Sequence, residues 1–169
     1  MSRPSFDRVD IALTGWMARH GITLLRVSLG AVFLWFGFLK FFPGLSPAQN
    51  LAGDTIEKLT FGAVSADTAV IILAVWETLI GLGLLLGVWL RAALFLLWLQ
   101  MAGTITPLFL FPDACFTHVP YAPTLEGQYI IKNAVLISAG IVIGATVRGG
   151  RLRAERDAAA DPPRMSQGR

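Results

Sequence analysis

Four ionisable side chains interrupt stretches that are otherwise apolar enough for the core of a bilayer: Arg26, Lys40, Glu77 and Lys132. Neutral polar residues accompany them, namely Gln100, Thr104, Thr106 and Asn133. Ionisable groups in such stretches are rare, and they face a bundle interior or a water-filled cavity. A carboxyl surrounded by hydrocarbon must pair with a cation or take up a proton, because burial penalises its charge. Glu77 is therefore the candidate for proton handling. Lys40 and Lys132 from one side, and Arg26 from the other, are candidates to pair with it or to bind a ligand. Gln100, Thr104 and Asn133 would add neutral hydrogen bonds. A plainer role stands beside each of these. The three cations can snorkel to the membrane interfaces, and Glu77 can serve as a structural ion pair or bond Gln100. Thr104-x-Thr106-Pro107 can be a kink whose threonines satisfy carbonyls freed by the proline.

Elements must exist to hold these groups, and helical spacing supplies them. At about 100° per residue, Arg26, Gly30, Phe33, Gly37 and Lys40 share one narrow stripe. Glu77, Gly81, Leu84 and Val88 share another, and Gln100, Gly103, Thr104 and Pro107 a third. Polar residues thus lie on the glycine-bearing faces, where helices in a membrane approach closely. Glu77 and Gln100 fall near the midplane. Lys40 and Lys132 lie within about 6 Å of the outer helix ends, and Arg26 is equally near the inner end. The reading is an outer-half polar pocket with two amines at its rim and a carboxyl at its floor.

The whole chain has the composition this requires. It has 169 residues, 54% hydrophobic and only 15% charged, with a mean hydropathy of +0.62; soluble domains carry roughly a quarter charged residues. A membrane crossing takes about 20 apolar residues. Such stretches are 22–42, 67–90, 92–111 and 128–147, the middle two divided at Arg91 by a tight turn. The expected fold is all-α: a polytopic membrane protein, a bundle of four transmembrane helices. Arg3, Arg8, Arg19, Arg91, Arg148, Arg151, Arg153 and Arg156 fall on one side of this topology. Segments 43–66 and 112–127, on the other, hold one Lys and no Arg. Short cytoplasmic loops concentrate such cations, so both termini are expected in the cytoplasm. Residues 1–21 read as a cytoplasmic segment before the 22–147 membrane domain, and 148–169 as a disordered basic tail. The first span is a poor signal peptide, since it is too long, contains Arg26 and Lys40, and lacks an A-x-A site.

In the first outer loop, Ser46-Pro47 reads as a cap followed by a first-turn proline. Ala48, Leu51, Ala52, Thr55, Ile56 and Leu59 then repeat at helical spacing, which predicts a short amphipathic helix on the outer membrane surface. Ser65 reads as the cap of the second span. The loop from Phe111 to Gly127 should pack over the bundle mouth. Gly83-x-x-x-Gly87 and Gly140-x-x-x-Gly144 read as packing faces, and Trp16, Trp35, Trp76, Trp89 and Trp98 as interface or lipid contacts.

Other chemistries have little support. The single cysteine, Cys115, excludes an internal disulfide and a dithiol relay. Cys115-x-x-His118 is half a zinc site, and the only other histidine, His20, lies across the membrane, so no metal site is expected. No Walker loop, dinucleotide-binding glycine fingerprint or paired-histidine haem arrangement occurs, and no cofactor is evident. The basic tail is explained by topology, so no nucleic-acid partner is expected.

The motifs resemble those of the DoxX-like membrane proteins of bacteria and archaea. They are Arg26-x3-Gly30 with Leu34-Trp35-Phe36-Gly37-Phe38-Leu39-Lys40-Phe41, then Trp76-Glu77-x3-Gly81-Leu82-Gly83-Leu84-Leu85-Leu86-Gly87, then Thr104-x-Thr106-Pro107, and finally Gly127-Gln128-Tyr129-Ile130-Ile131-Lys132-Asn133. The group is similar to the DoxD-type subunit of thiosulfate:quinone oxidoreductase. The resemblance implies a bacterial inner-membrane protein, a quinone-linked subunit of a redox complex handling sulfur compounds or oxidative stress. Glu77, Lys40, Lys132 and Arg26 match the recurrent charged positions. A quinone ligand and an oxidoreductase partner follow from it, and catalysis by the chain alone does not. Two other functions remain open: a structural or assembly subunit, including a homo-oligomer, and transport of a proton or small solute. Four helices without an inverted repeat fit transport least.

Overall fold

The computed structural model of the chain describes residues 4–46 and 48–152. Within them seven helices and one small hairpin follow in order: α1 (Pro4–Leu39), α2 (Gln49–Leu59), α3 (Ala66–Leu86), α4 (Leu90–Ile105), α5 (Pro107–Leu110), α6 (Pro112–Cys115), β1 (Phe116–His118), β2 (Ala122–Pro123) and α7 (Leu125–Thr146). Among the described residues four stretches are long and apolar enough to cross a membrane: 7–39, 66–86, 90–110 and 125–146. The fold is the expected all-α polytopic bundle. Its two ends differ: Arg26, Arg91 and Arg148 lie toward one, and Lys40, Lys58 and Lys132 toward the other.

Local chemistry sets the boundaries. Ser65 caps α3 by accepting from Thr68 N at 3.4 Å, and Thr124 caps α7 by accepting from Gly127 N at 3.2 Å. The break between α3 and α4 falls at Gly87, whose φ of +70 suits a residue without a side chain. Arg91 therefore sits in the first turn of α4 rather than in the connection. At the other end of α4, Pro107 cannot donate to the Gly103 carbonyl. Thr106 takes over, donating to that oxygen from its hydroxyl at 2.7 Å and its amide at 3.1 Å. The apolar span then continues through α5.

Three features add to or change the sequence expectations. Residues 1–21 read as a cytoplasmic segment before the membrane domain. From Pro4 onward they are helical and continuous with the first span, as the first turns of α1, a 36-residue helix about 54 Å long, well beyond a hydrocarbon core of about 30 Å. No proline interrupts it, and Pro4 occupies a first-turn position where it is tolerated. At its far end α1 stops at Leu39, leaving Lys40 in the following turn. The second change is at α2, which starts at Gln49 after Ala48 in a left-handed conformation, not directly after Ser46; Pro47 lies outside the described residues. The tail expectation lies mostly outside them too, from residue 153 onward.

Packing centres on α1 against α3. A Cβ at Gly30 would stand 2.9 Å from Leu85 N, one at Gly37 2.7 Å from the Glu77 Cβ, and one at Gly81 2.7 Å from the Leu34 Cα. Backbones this close admit only glycine. Leu29, Phe33, Ile80, Leu84, Leu97 and Ile143 form the buried core beside them. The third change concerns Trp76. Trp98 lies over Gly140 and Gly144, and Trp76 donates from Nε1 to Leu96 O at 3.1 Å. Trp76 turns inward, because a buried indole N–H needs an acceptor; Trp98 rests one ring edge in the glycine groove and stays exposed on the outer face of the bundle, as expected of a lipid contact.

Gly81→Leu should drive α1 from α3 and abolish recovery of folded protein in detergent. Gly103→Ala meets nothing within 4 Å and should leave the thermal midpoint unchanged.

Candidate functional site

A cavity of about 520 Å³ opens in the half of the bundle near Lys40, between α1, α3, α4 and α7 and beneath α2. Its walls are chiefly apolar, with Phe33, Phe36, Trp76, Met101 and Leu136 among them. Helix α2 is its roof. Leu51, Ala52, Thr55, Ile56 and Leu59, the face expected to lie on the membrane, look onto the cavity instead. Glu57 holds that roof by accepting from Ala66 N at 3.1 Å, and Lys58 by donating to Leu110 O at 3.3 Å. Lys58 also stands 4.6 Å above the Phe111 ring.

The polar groups converge on Glu77. Lys40 Nζ lies 2.6 Å from its Oε2, and Gln100 Nε2 donates to its Oε1 at 2.5 Å. Glu77 is 8% exposed and Gln100 9%, so three elements meet at one nearly dry carboxylate: the end of α1, the middle of α3 and the middle of α4. Close approach at Gly37 brings the Lys40 turn within reach. A second polar pair lies above, where Asn133 Nδ2 donates to Thr104 Oγ1 at 3.2 Å and Thr104 donates to Met101 O at 3.0 Å. Lys132 lines the cavity but reaches toward Gln128 Oε1, at 3.5 Å, and not toward Glu77.

Arg26 does not belong to this site. Its guanidinium donates to Leu84 O, and to Leu85 O at 3.2 Å. These are carbonyls at the C-terminal end of α3, which lack helical partners and carry the negative end of the helix dipole. A cation one helix away serves them better than a midplane carboxylate about two turns further in. Replacing Arg26 by Leu should destabilise the fold by about 1–3 kcal/mol and leave ligand affinity at the cavity unchanged, as thermal denaturation and a binding titration on the same sample would show.

The cavity also has a residue that sequence reasoning missed. Glu126, in the first turn of α7, lines it. Placing the helix start at Gln128 hid it; with Thr124 as the cap, Glu126, Ile130 and Asn133 fall on one face. Trp76 is likewise a cavity wall rather than a lipid contact.

Among the described residues no group of three or more His, Cys, Asp and Glu is gathered so as to hold a metal. Cys115 is fully buried beneath the hairpin, while His118 stacks on Tyr121. Burial, and secondarily the Glu126 carboxylate, pushes the Cys115 thiol above its ordinary value. The thiolate is the reactive form, so alkylation by iodoacetamide at neutral pH should be slow until the protein is denatured, and should speed up only as pH rises past the usual thiol range.

Fold and site together define a class: a four-span membrane bundle with a roofed, mainly apolar cavity and an ion pair at its floor. The DoxX family profile matches residues 21–112, which takes in α1 from residue 21, the roof helix and the second and third spans, and the chain belongs to that family. No curated protein and no solved structure matches it.

Proposed function

We propose that this chain is the quinone-binding subunit of a membrane redox complex, seated in a bacterial inner membrane with both termini in the cytoplasm. The observation that carries the reading is the cavity itself. Its apolar walls suit a ring and prenyl tail, and its few polar groups converge at one end, the usual anatomy of a small-molecule site. A quinone oxygen fits beside Lys40 Nζ, which has a third N–H beyond those directed to Glu77 and to Phe36 O. Reduction takes up two electrons and two protons to give the hydroquinone. The Lys40–Glu77 pair holds an exchangeable proton next to that oxygen. The chain has no motif for an electron-carrying cofactor, so the electrons come from an oxidoreductase partner, with a sulfur compound or an oxidative-stress product as their source. Orientation rests on the arginines gathered at one end of the bundle.

One observation favours a second reading. Lys40, Glu77 and Gln100 bond one another across three helices, an arrangement that would also suit a purely structural clamp. Native mass spectrometry of protein extracted gently from its own membranes tests the first reading, and should find a retained quinone or an oxidoreductase subunit. Glu77→Gln separates the two. It should insert, fold and lose quinone reactivity by about a hundredfold or more, the scale of a lost general acid–base group. Full activity in folded Glu77→Gln would remove Glu77 from proton handling, and loss of folded protein would favour the clamp.

A further inference from the structure

Two charges on the cavity wall have no counter-charge. Glu126 and Lys132, both on α7, line it. Glu126 is half-buried and Lys132 exposed, so a ligand can reach either. The only ion pair among the described residues joins Lys40 to Glu77, and Lys132 spends one N–H on the neutral Gln128 Oε1, a long bond at 3.5 Å. That bond also sets a height. Gln128 is one turn nearer the start of α7, so the Lys132 ammonium is drawn up toward the turn that carries Glu126. Descending α7 from the roof, a carboxylate comes first and an ammonium next. Below them lies the apolar wall that Leu136 shares with Val32 and Phe36 of α1. Val32 and Phe36 line the cavity yet are 40% and 41% exposed, so the cavity is open to hydrocarbon beside α1.

We propose that the mouth of the cavity binds a phospholipid whose headgroup carries a primary ammonium, phosphatidylethanolamine. Its ammonium sits on Glu126, its phosphate on Lys132, and one acyl chain runs down past Leu136 and Phe36. The inference goes beyond the quinone reading and does not rest on it, since it uses neither Lys40 nor Glu77. Three features of the wall select this lipid. The vertical order is that of the lipid itself, in which the ammonium is outermost, the phosphate beneath it and the chains in the hydrocarbon. A zwitterion satisfies both partly desolvated charges, whereas an anionic lipid leaves Glu126 unpaired and brings a second negative charge beside it. A primary ammonium has three N–H donors for a carboxylate, and a trimethylated one has none.

The test is native mass spectrometry of the full-length protein, delipidated in detergent and offered equimolar dioleoyl phospholipids with ethanolamine, choline or glycerol headgroups. The ethanolamine lipid should be retained about tenfold more strongly than either competitor, the scale of one charge-assisted hydrogen bond. Glu126→Gln should erase that preference, and Lys132→Gln should weaken all three lipids together. Asp113→Asn removes an exposed acid of the same loop region that does not line the cavity, and should change nothing. Excess soluble phosphoethanolamine should not displace the lipid, because it brings no chain to the apolar wall. Equal retention, or tighter binding of the glycerol lipid, would overturn the inference. So would a preference that survives in folded Glu126→Gln or falls in Asp113→Asn, and so would unchanged binding in Lys132→Gln. Displacement by phosphoethanolamine overturns it too, by making the ligand a soluble one. Should Glu126→Gln not fold, N-methylation of the ethanolamine lipid decides on the wild-type protein: affinity should fall when the last N–H is gone, and a flat response sinks the proposal.

Discussion

The close approach of α1 to α3 underlies the rest of the molecule. Gly30, Gly37 and Gly81 remove the side chains that would hold two helices apart, and dispersion between the backbones takes their place. This contact brings the Lys40 turn beside the middle of α3 and sets the Lys40–Glu77 pair at 2.6 Å. It also delivers Arg26 to the end of α3. One face of α1 and the turn after it thus present two cations, Arg26 and Lys40, to one helix, and these do different work: one satisfies the bare carbonyls of a terminus, the other neutralises a midplane carboxylate.

Where helices do not approach so closely, the bundle has room. Helix α7 packs mainly on α4 through the groove that Gly140 and Gly144 open for Trp98, and it stands off the α1–α3 unit near the roof. The cavity occupies that space. Its floor is polar because the tight contact concentrates charge there. Its walls are apolar because the side chains that fill a bundle of this kind are those that also face lipid. The same packing therefore explains both the stability of one half and the openness of the other.

The roof helix completes the site. An 11-residue amphipathic segment has two apolar surfaces on offer, the lipid interface and the mouth of the bundle. The bonds from Glu57 to Ala66 N and from Lys58 to Leu110 O choose the second. Access to the cavity is thus shaped by a segment joined directly to the turn that carries Lys40.

Much of this was legible in the residues themselves. Hydropathy and length determined four spans, and helical spacing put Glu77, Gln100, Lys40 and the glycines on inward stripes. Ser65 declared the start of α3, and Pro107 the break after α4. These features depend on nearest neighbours in the chain or on the bilayer as solvent, so sequence alone decides them. Spacing could not say which cation meets Glu77, because Arg26, Lys40 and Lys132 were all on plausible faces. Only the relative depth and separation of packed helices decided for Lys40, sent Arg26 to the α3 terminus and left Lys132 with Gln128. Nor could it turn α2 from the membrane surface to the cavity, bring Glu126 onto the wall, or leave Gln100 with one bonded and one unbonded end. Those depend on ångström-scale distances between elements far apart in sequence, which only the tertiary structure sets.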